Sequence, residues 1–363
     1  MTAPKKTQKW ARKYILLYLI LILGSFTACI PATPTPVPTA TPTMVVNTPT
    51  PTPTATPRAT STPTQPPKGS DGNPITIGFI LSPEQAESLD AADEIALLIS
   101  ENSGYAIENL LYPDFLSMST AIQNGEVDLF WLAPFEYLFL NNEGLAEVIL
   151  MTNHLGVYAY GVQFMAHIDR GFISYYDPDT NESVSDAITA LQQFAGTRPC
   201  FLSPDSIPGY FVPLGLLANT STPTLAPVFA YSYTAIIRAI YIQGICDFGV
   251  GYAMIGYPRT SGDILQNIPE AQELVDVIWQ SDDIIPNTSL SASPALPLNI
   301  QFNIQEAFLD IPNNPAGLTL LSSALNYDVE ALKTVEDAFY DQLRAAIVPL
   351  GLDLRRITQE QAE

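Results

Sequence analysis

Two stretches decide how this chain is read: Ala121-Ile-Gln-Asn-Gly-Glu-Val-Asp-Leu-Phe-Trp-Leu-Ala-Pro-Phe-Glu-Tyr137 and Ser203-Pro-Asp-Ser-Ile-Pro-Gly-Tyr-Phe-Val-Pro213. Each joins a strand to a helix through a polar or Gly-containing turn. In the first, the apolar run from Val127 to Leu132 is short and bounded by turn residues, as expected of a buried strand. Pro208 suits the first turn of a following helix, where a missing N–H costs little. Facing each other across a cleft, two such turns form a trap for a small ligand.

Outward from these stretches the chain alternates. Ile75–Ile80 reads as a strand. Leu89, Ala92, Ile95, Ala96 and Ile99 recur at helical spacing, with Gly104 as a stop. Strands are then expected from Ile107 to Tyr112 and from Val127 to Leu132, with helices from Ser117 to Asn124 and from Phe135 to Asn142. The pattern restarts with strands from Tyr160 to Ala166, Pro199 to Leu202, Pro227 to Tyr231, Cys246 to Gly251 and Leu274 to Trp279. Helices are expected from Val184 to Phe194, Ile207 to Ala218 and Tyr233 to Gln243. The tail, Phe302 to Leu309 and Leu332 to Val348, reads as helix. Such alternation indicates βαβ units and mainly parallel sheets flanked by helices. One α/β unit is inserted in another, with crossings near Tyr158–Gly161 and Asp282–Asn287.

The N-terminus is a different material. Lys5, Lys6, Lys9, Arg12 and Lys13 precede an apolar run from Tyr14 to Phe26, which is short for a membrane span. It ends in Phe26-Thr27-Ala28-Cys29, which reads as a lipoprotein signal peptide with Cys29 as the lipidated residue. The alternative is an uncleaved anchor with an incidental Cys. Pro-Thr repeats follow and favour extended polyproline II; about 40 such residues reach roughly 100 Å at ~3.1 Å each. The expected organisation is 1–29 signal peptide, 30–72 Pro/Thr-rich disordered linker, 73–159 with 282–363 as lobe 1, and 160–281 as lobe 2.

Charge excludes one class of partner. The whole chain has a net charge of −22, and the leader carries five of its 15 basic residues and none of its 37 acids. What remains is more acidic still and offers no basic face for nucleic acid. Two cysteines remain beyond Cys29. Outside the cytoplasm Cys200 and Cys246 tend to be oxidised to a disulfide; two buried thiols on neighbouring strands are the alternative.

Residues ~75–350 resemble the phosphate/phosphite/phosphonate substrate-binding proteins of ABC transporters. Asn124-Gly-Glu-Val-Asp-Leu-Phe-Trp-Leu-Ala-Pro-Phe-Glu-Tyr137 is similar to a first-lobe "NGEVD-strand-GPFSY" signature. Ser203 to Pro213 is similar to the "DPxSTSGYLxP" anion loop, Gln243-Gly-Ile-Cys-Asp-Phe-Gly249 to the second-lobe "NGEVDAG", and Val277-Ile-Trp-Gln-Ser281 with Ile285-Pro286 to the return crossing "VLWESPxIP". The four occur in the family's order. The resemblance implies a two-lobed type II periplasmic-binding fold with a hinged cleft. It further implies a lipid-anchored, extracytoplasmic monomer that captures a small oxyanion and docks on an ABC permease in the cell membrane. A sensing or scaffolding module on the same fold, signalling to a membrane partner, is the alternative. The departures fall on the ligand loop, where Ser-Thr-Ser reads Ser206-Ile207-Pro208, and the family's cleft His with its acid reads Thr234-Ala235. Carboxylates that hold an amino group in phosphonate binders correspond to Met254 and Thr288, so an amino-phosphonate is disfavoured.

The loop keeps a physical reason to hold an anion. Ser206 is placed to cap the helix that follows. The amides of Ile207, Gly209 and Tyr210 would then point outward at the positive end of the helix dipole, an anion nest that needs no Lys or Arg. Alternatively Ser206 only caps and Gly209 only permits close packing. Thr234 at the next helix start, and Tyr158 and Tyr137 on the first-lobe side, complete the expected ligand set. Trp131 and Phe135 read as core. Asp114 reads as a helix cap, and Asp128 and Asp247 as structural. His154 and His167, the two histidines, have no metal-ligand spacing, and no nucleophile elbow, Walker loop or Cys-His pair is present. Neither enzyme activity, a cofactor nor a metal is expected.

Overall fold

A computed structural model describes residues 66–81, 86–253 and 268–360. Cys29, the leader and most of the linker lie outside these residues.

In chain order the strands are β1 (Ile75–Ile80), β2 (Ile107–Tyr112), β3 (Leu129–Leu132), β4 (Glu147–Asn153), β5 (Ala159–His167), β6 (Tyr176–Asp177), β7 (Glu182–Ser183), β8 (Pro199–Phe201), β9 (Val228–Phe229), β10 (Phe248–Ala253), β11 (Val275–Gln280), β12 (Ile285–Pro286), β13 (Ser289–Ala292) and β14 (Ala331–Thr334). They form two sheets, ordered β14-β4-β13-β3-β1-β2 and β11-β5-β10-β8-β9, and a small β6–β7 hairpin. Starting at β2 in one sheet and β9 in the other, the order is the same. Three parallel strands are followed by one antiparallel strand that has just arrived from the other half, and then by a fourth forward strand. The arriving strand is β13 in the first sheet and β5 in the second. This is the two-lobed α/β topology of the type II periplasmic-binding fold. The sheets are mixed rather than purely parallel, because the strand that enters each half, β13 or β5, runs against its neighbours, and β14 adds a second reversed strand to the first sheet.

The repeat extends to single residues. Asp128 accepts the Thr76 amide at 2.8 Å and pairs with Lys68; Asp247 accepts the Arg198 amide at 2.7 Å and pairs with Arg170. In both halves, then, the Asp before the third strand pins the start of the first.

The two passages between sheets run side by side. Ile285 pairs with Tyr160 and Pro286 with Ala159. The Val162 amide donates to the Ser281 hydroxyl at 2.9 Å, and the buried Asn287 side chain donates to the carbonyls of Val157 (2.7 Å) and Thr152 (3.2 Å).

One core runs through both halves on one face. It reaches from Phe115 and Phe135, through Phe164, Phe194, Phe211 and Phe248, to Tyr340, Leu343 and Ile347. Helix Val212–Asn219 of the second half lies directly on helix Asp341–Ile347: a Cβ on Gly215 would collide with the Ala346 carbonyl, and the Asn219 side chain donates to the carbonyls of Ala345 (3.1 Å) and Ala346 (3.2 Å). The other faces have separate cores. One lies under helices Ala86–Ser103, Leu298–Leu309 and Gly317–Leu325; the other lies under helix Tyr233–Ile242 and contains Cys200 and Cys246. Those two cysteines are joined by a disulfide, with Cα atoms 5.7 Å apart.

Several expectations fail in instructive ways. The segment from Leu332 to Val348 is not one helix. It opens as β14, where Leu332 enters one core and Val335, just beyond the strand, enters the other; a 3-10 turn follows over Asp337–Tyr340, and the α-helix begins only at Asp341. The helix expected from Val184 begins at Ala187, capped by Asp186, because the Val184 amide is spent on the Tyr175 carbonyl. β4, β13 and β14 have no counterpart among the strands read from sequence. β4 and β13 are buried on both faces almost throughout, so they lack the alternation that marks a half-exposed strand.

Candidate functional site

The candidate site lies where the ends of β3, β8, β9 and β10 face the passages between the halves. The Ser203–Phe211 loop folds back over the end of β8, with the Leu202 amide donating to the Gly209 carbonyl at 3.0 Å. Ser206 caps the segment: its hydroxyl accepts the Gly209 amide at 3.0 Å, and its carbonyl accepts those of Tyr210 (3.1 Å) and Phe211 (3.0 Å). Ile207–Phe211 is therefore a wide π-type turn that leads into helix Val212–Asn219.

This corrects the expected amide nest. The Gly209 and Tyr210 amides are taken up by Ser206, and of the three only Ile207 is not used in this way. Gly209 is a packing glycine, since a Cβ there would collide with Leu202. The Tyr210 ring belongs to an aromatic cluster, 5.3 Å from Phe201 and 5.2 Å from Phe229 between centroids.

The other expected residues separate. Tyr137 is fully buried (0% exposed), packs its ring tilted against that of Tyr340 with centroids 4.1 Å apart, and donates its hydroxyl to Asp337 at 2.6 Å. It faces the core because the helix turns it away from the rim that Pro134 begins. Tyr158 sits at the passage, with the Lys333 ammonium 4.2 Å from its ring centre and 4.5 Å from that of Phe339. Thr234 is half-buried in the first turn of helix Tyr233–Ile242, whose cap is Ser232, accepting the Ala235 amide at 3.0 Å. Trp131 and Phe135 are core, and Phe135 reaches the ligand loop, 5.5 Å from Phe211 between centroids. Asp114 caps its helix by accepting the Ser117 amide at 2.7 Å. The Thr288 carbonyl accepts from Thr152 in the passage, while Met254 lies outside the described residues.

Sequence reasoning overlooked Tyr233, immediately before Thr234. Its hydroxyl is buried and makes no well-formed hydrogen bond, with the Ser206 hydroxyl its nearby polar neighbour. Burial holds its phenol well above the usual range; the Tyr160 and Tyr252 phenols push the same way, and the Ser206 hydroxyl pulls back. Tyr160 is likewise raised, by burial and by Tyr327 of the first half. Hydroxyls from both halves thus converge here, and the two raised phenols stay protonated and available as donors. Behind Tyr233 a cavity of about 10 Å³ is bordered by Gln163, which is 2% exposed and whose Oε1 also lacks a partner. On the lobe 1 side, a cavity of about 540 Å³ runs along Tyr327, Ser88, Ser322 and Asn326.

Glu136 lies in the first turn of helix Pro134–Asn142, where its carboxylate closes the helix's own N-terminal capping box. Its Oε2 accepts the Ala133 amide at 2.7 Å, and burial pushes the carboxyl up to about 7 while that amide pulls it down. No group of three or more His, Cys, Asp or Glu among the described residues is arranged to hold a metal. The arrangement offers neutral hydrogen-bond donors, the hydroxyls of Tyr233 and Tyr160 beside Ser206.

Residues 77–340 match the family described as ABC transporter, phosphonate, periplasmic substrate-binding protein. The phosphate-import protein PhnD of Mycolicibacterium smegmatis is 24% identical over 244 residues, which cover 62% of this chain and 69% of that protein. Among solved structures, XAC2383 from Xanthomonas citri bound to chloride aligns with a TM-score of 0.51 at 15% identity, covering 79% of this chain and 99% of that one. Its ATP-bound form gives 0.50 at 14% identity, covering 80% and 99%. At such identity these structures speak for the fold alone.

Proposed function

Because the chain belongs to the phosphonate substrate-binding family of ABC transporters, a family of solute carriers rather than enzymes, we propose that it holds a small oxyanion (phosphate, phosphite or a phosphonate) between its two halves for import. The observation that carries this reading is the Tyr233 hydroxyl, buried without a well-formed hydrogen bond beside Ser206 and Tyr160. A buried donor left unpaired costs roughly 1–3 kcal/mol, and a ligand oxygen would recover that. Hydroxyl donors suit an anion, and no carboxylate is among the groups that act on the Tyr233 phenol. The Mycolicibacterium relative's role in phosphate import points the same way.

In this reading the ligand contacts are the hydroxyls of Ser206, Tyr233, Tyr160 and Thr234 with the Ile207 amide. Ligand favours the closed arrangement because it touches both halves at once. The loaded protein, a monomer anchored through lipidated Cys29 and extended on its Pro/Thr linker, delivers to a membrane permease. Calorimetry against phosphate, phosphite and methylphosphonate, with an uncharged solute as control, tests the reading. Saturable binding of at least one oxyanion is expected; no heat with any of them overturns it.

A further inference from the structure

The first half lines its side of the site with a second kind of chemistry. Ligands of open α/β sheets settle outside the carboxyl ends of the strands. In the first sheet that edge is where β1 ends at Ile80 and where β14 begins, since Ala331 pairs with Asn153, the last residue of β4. Helix Ala86–Ser103 starts on this edge, and the residues between helix Gly317–Leu325 and β14 run along it. Between them lies the cavity of about 540 Å³, bordered by Glu87, Ser88, Ser323, Asn326, Tyr327 and Asp328. Pockets that hold whole organic ligands span roughly 300–1,000 Å³, so this space exceeds what an inorganic oxyanion fills.

The cavity adjoins the hydroxyl cluster. Tyr327 borders it and acts on the Tyr160 phenol, and Tyr160 in turn acts on Tyr233. Its lining sets the chemistry it can take. Ser88 is 8% exposed, borders the cavity, and its hydroxyl makes no hydrogen bond among the described residues. None of the described lining residues is Lys or Arg, while Glu87 and Asp328 bring two carboxylates. A second anionic group is therefore unwelcome there. An ammonium would suit the carboxylates, but it only donates hydrogen bonds. It offers no acceptor to the Asn326 amide hydrogens or to the Ser88 and Ser323 hydroxyl protons. Ligand hydroxyls both donate and accept, so they match the carboxylates, the amide and the hydroxyls together.

We propose that this cavity is a polyol subsite: the ligand is an oxyanion carried on a polyhydroxylated group, the chemistry of a sugar phosphate or a glycerol phosphate. The oxyanion meets Ser206 and Tyr233 of the second half. Hydroxyls of the attached group meet Ser88, Asn326, Glu87 and Asp328 of the first. One molecule then touches both halves with different ends, and its differential contacts favour the closed arrangement more than those of a bare oxyanion.

The inference rests on the oxyanion reading, and one experiment separates the two. Phosphate, methylphosphonate, glycerol 3-phosphate, glucose 6-phosphate, free glucose and 2-aminoethylphosphonate are titrated calorimetrically into wild type, Ser88→Ala and Asp328→Ala. In wild type at least one of the two phosphate esters is expected to bind about tenfold or more tighter than phosphate, as two or three net hydrogen bonds provide. Ser88→Ala removes a hydroxyl with no partner among the described residues. Its melting temperature should hold, and phosphate affinity with it, while that ester weakens severalfold. Asp328→Ala should act in opposite directions. The ester loses about tenfold, the share of a hydrogen bond to a charged group, whereas phosphate keeps or gains affinity because a negative charge has left the site. Esters no tighter than phosphate, free glucose as tight as its phosphate, 2-aminoethylphosphonate tighter than both esters, or variants that weaken ester and phosphate alike each overturn this inference alone. No oxyanion binding by wild type overturns it together with the reading beneath it.

Discussion

Gly161 passes so close to Ser281 that a Cβ on it would stand 2.7 Å from the Ser281 carbonyl oxygen and 2.8 Å from that of Asp282. The two passages between the halves touch backbone to backbone at this point, and the Val162–Ser281 hydrogen bond fixes the distance. Gly161→Ala has to push them apart. It is expected to cost about 1–3 kcal/mol, as overpacking does, and to lower the melting temperature by roughly 2–4 °C per kcal/mol. A variant that melts with the wild type would show that the passages have slack.

Tyr233→Phe separates a ligand contact from a packing role. The hydroxyl it deletes makes no well-formed hydrogen bond in the protein, with only Ser206 close by, so the unliganded protein should be about as stable as wild type. A hydrogen bond to a charged group is worth about 1.5–3 kcal/mol, so oxyanion affinity should fall by on the order of tenfold or more. Paired denaturation and calorimetry on the same variant check this. Lost stability with retained affinity would make Tyr233 a core residue.

The sequence carried the architecture where the pattern is local. The Asn-Gly-Glu-Val-Asp128 turn before β3 and the similar Gln-Gly-Ile-Cys-Asp247 turn before β10 marked the same position in both halves, and the structure uses Asp128 and Asp247 in the same way. What escaped was set by distant contacts. β14 exists because it pairs with β4, and Lys333 reaches Tyr158 only as a result. Tyr137 looked like a rim residue until Asp337, from the far end of the chain, claimed its hydroxyl. The amides of the ligand loop looked free because a turn with Pro208 in it was read as an ordinary helix start; the π turn lets one Ser206 carbonyl take two of them. Tyr233 left no trace in the sequence, since an orphaned hydroxyl is defined by what does not surround it.

The Cys200–Cys246 disulfide closes a loop of 46 residues in sequence separation. By the chain-entropy estimate such a closure is worth about 4 kcal/mol, with engineered cases often giving less. Both sulfurs sit in the core under helix Tyr233–Ile242, so its loss should loosen the half that carries Ser206 and Tyr233. Denaturation of the Cys200→Ser/Cys246→Ser double variant is expected to show a clear drop in midpoint, and reductant should shift wild type but not the variant. Equal sensitivity of the two proteins to reductant would argue against the bridge.

Arg344 gives the fold an acid-side pH dependence. Burial pushes the Asp337 carboxyl up, but the Arg344 hydrogen bond, the Tyr137 hydroxyl and the Arg344 charge outweigh it, and the net shift is downward. A carboxyl that titrates lower when folded adds stability above its unfolded value, near 3.8, and that stability is lost as pH falls through the folded value. Asp337 is 53% exposed, so water screens the pair and this part is worth about 1 kcal/mol or less. In Arg344→Met the carboxyl should titrate nearer its ordinary range. Wild type should therefore exceed the variant most at neutral pH, and the gap should narrow below about pH 4 as Asp337 protonates. It should not close, because Arg344 also donates to the Asn141 side chain at 2.9 Å and the Asp337 carbonyl at 3.2 Å, neither of which titrates. Urea denaturation of both proteins from pH 2.5 to 7 measures the gap. A difference that stays constant across that range would mean the guanidinium acts through these neutral contacts alone.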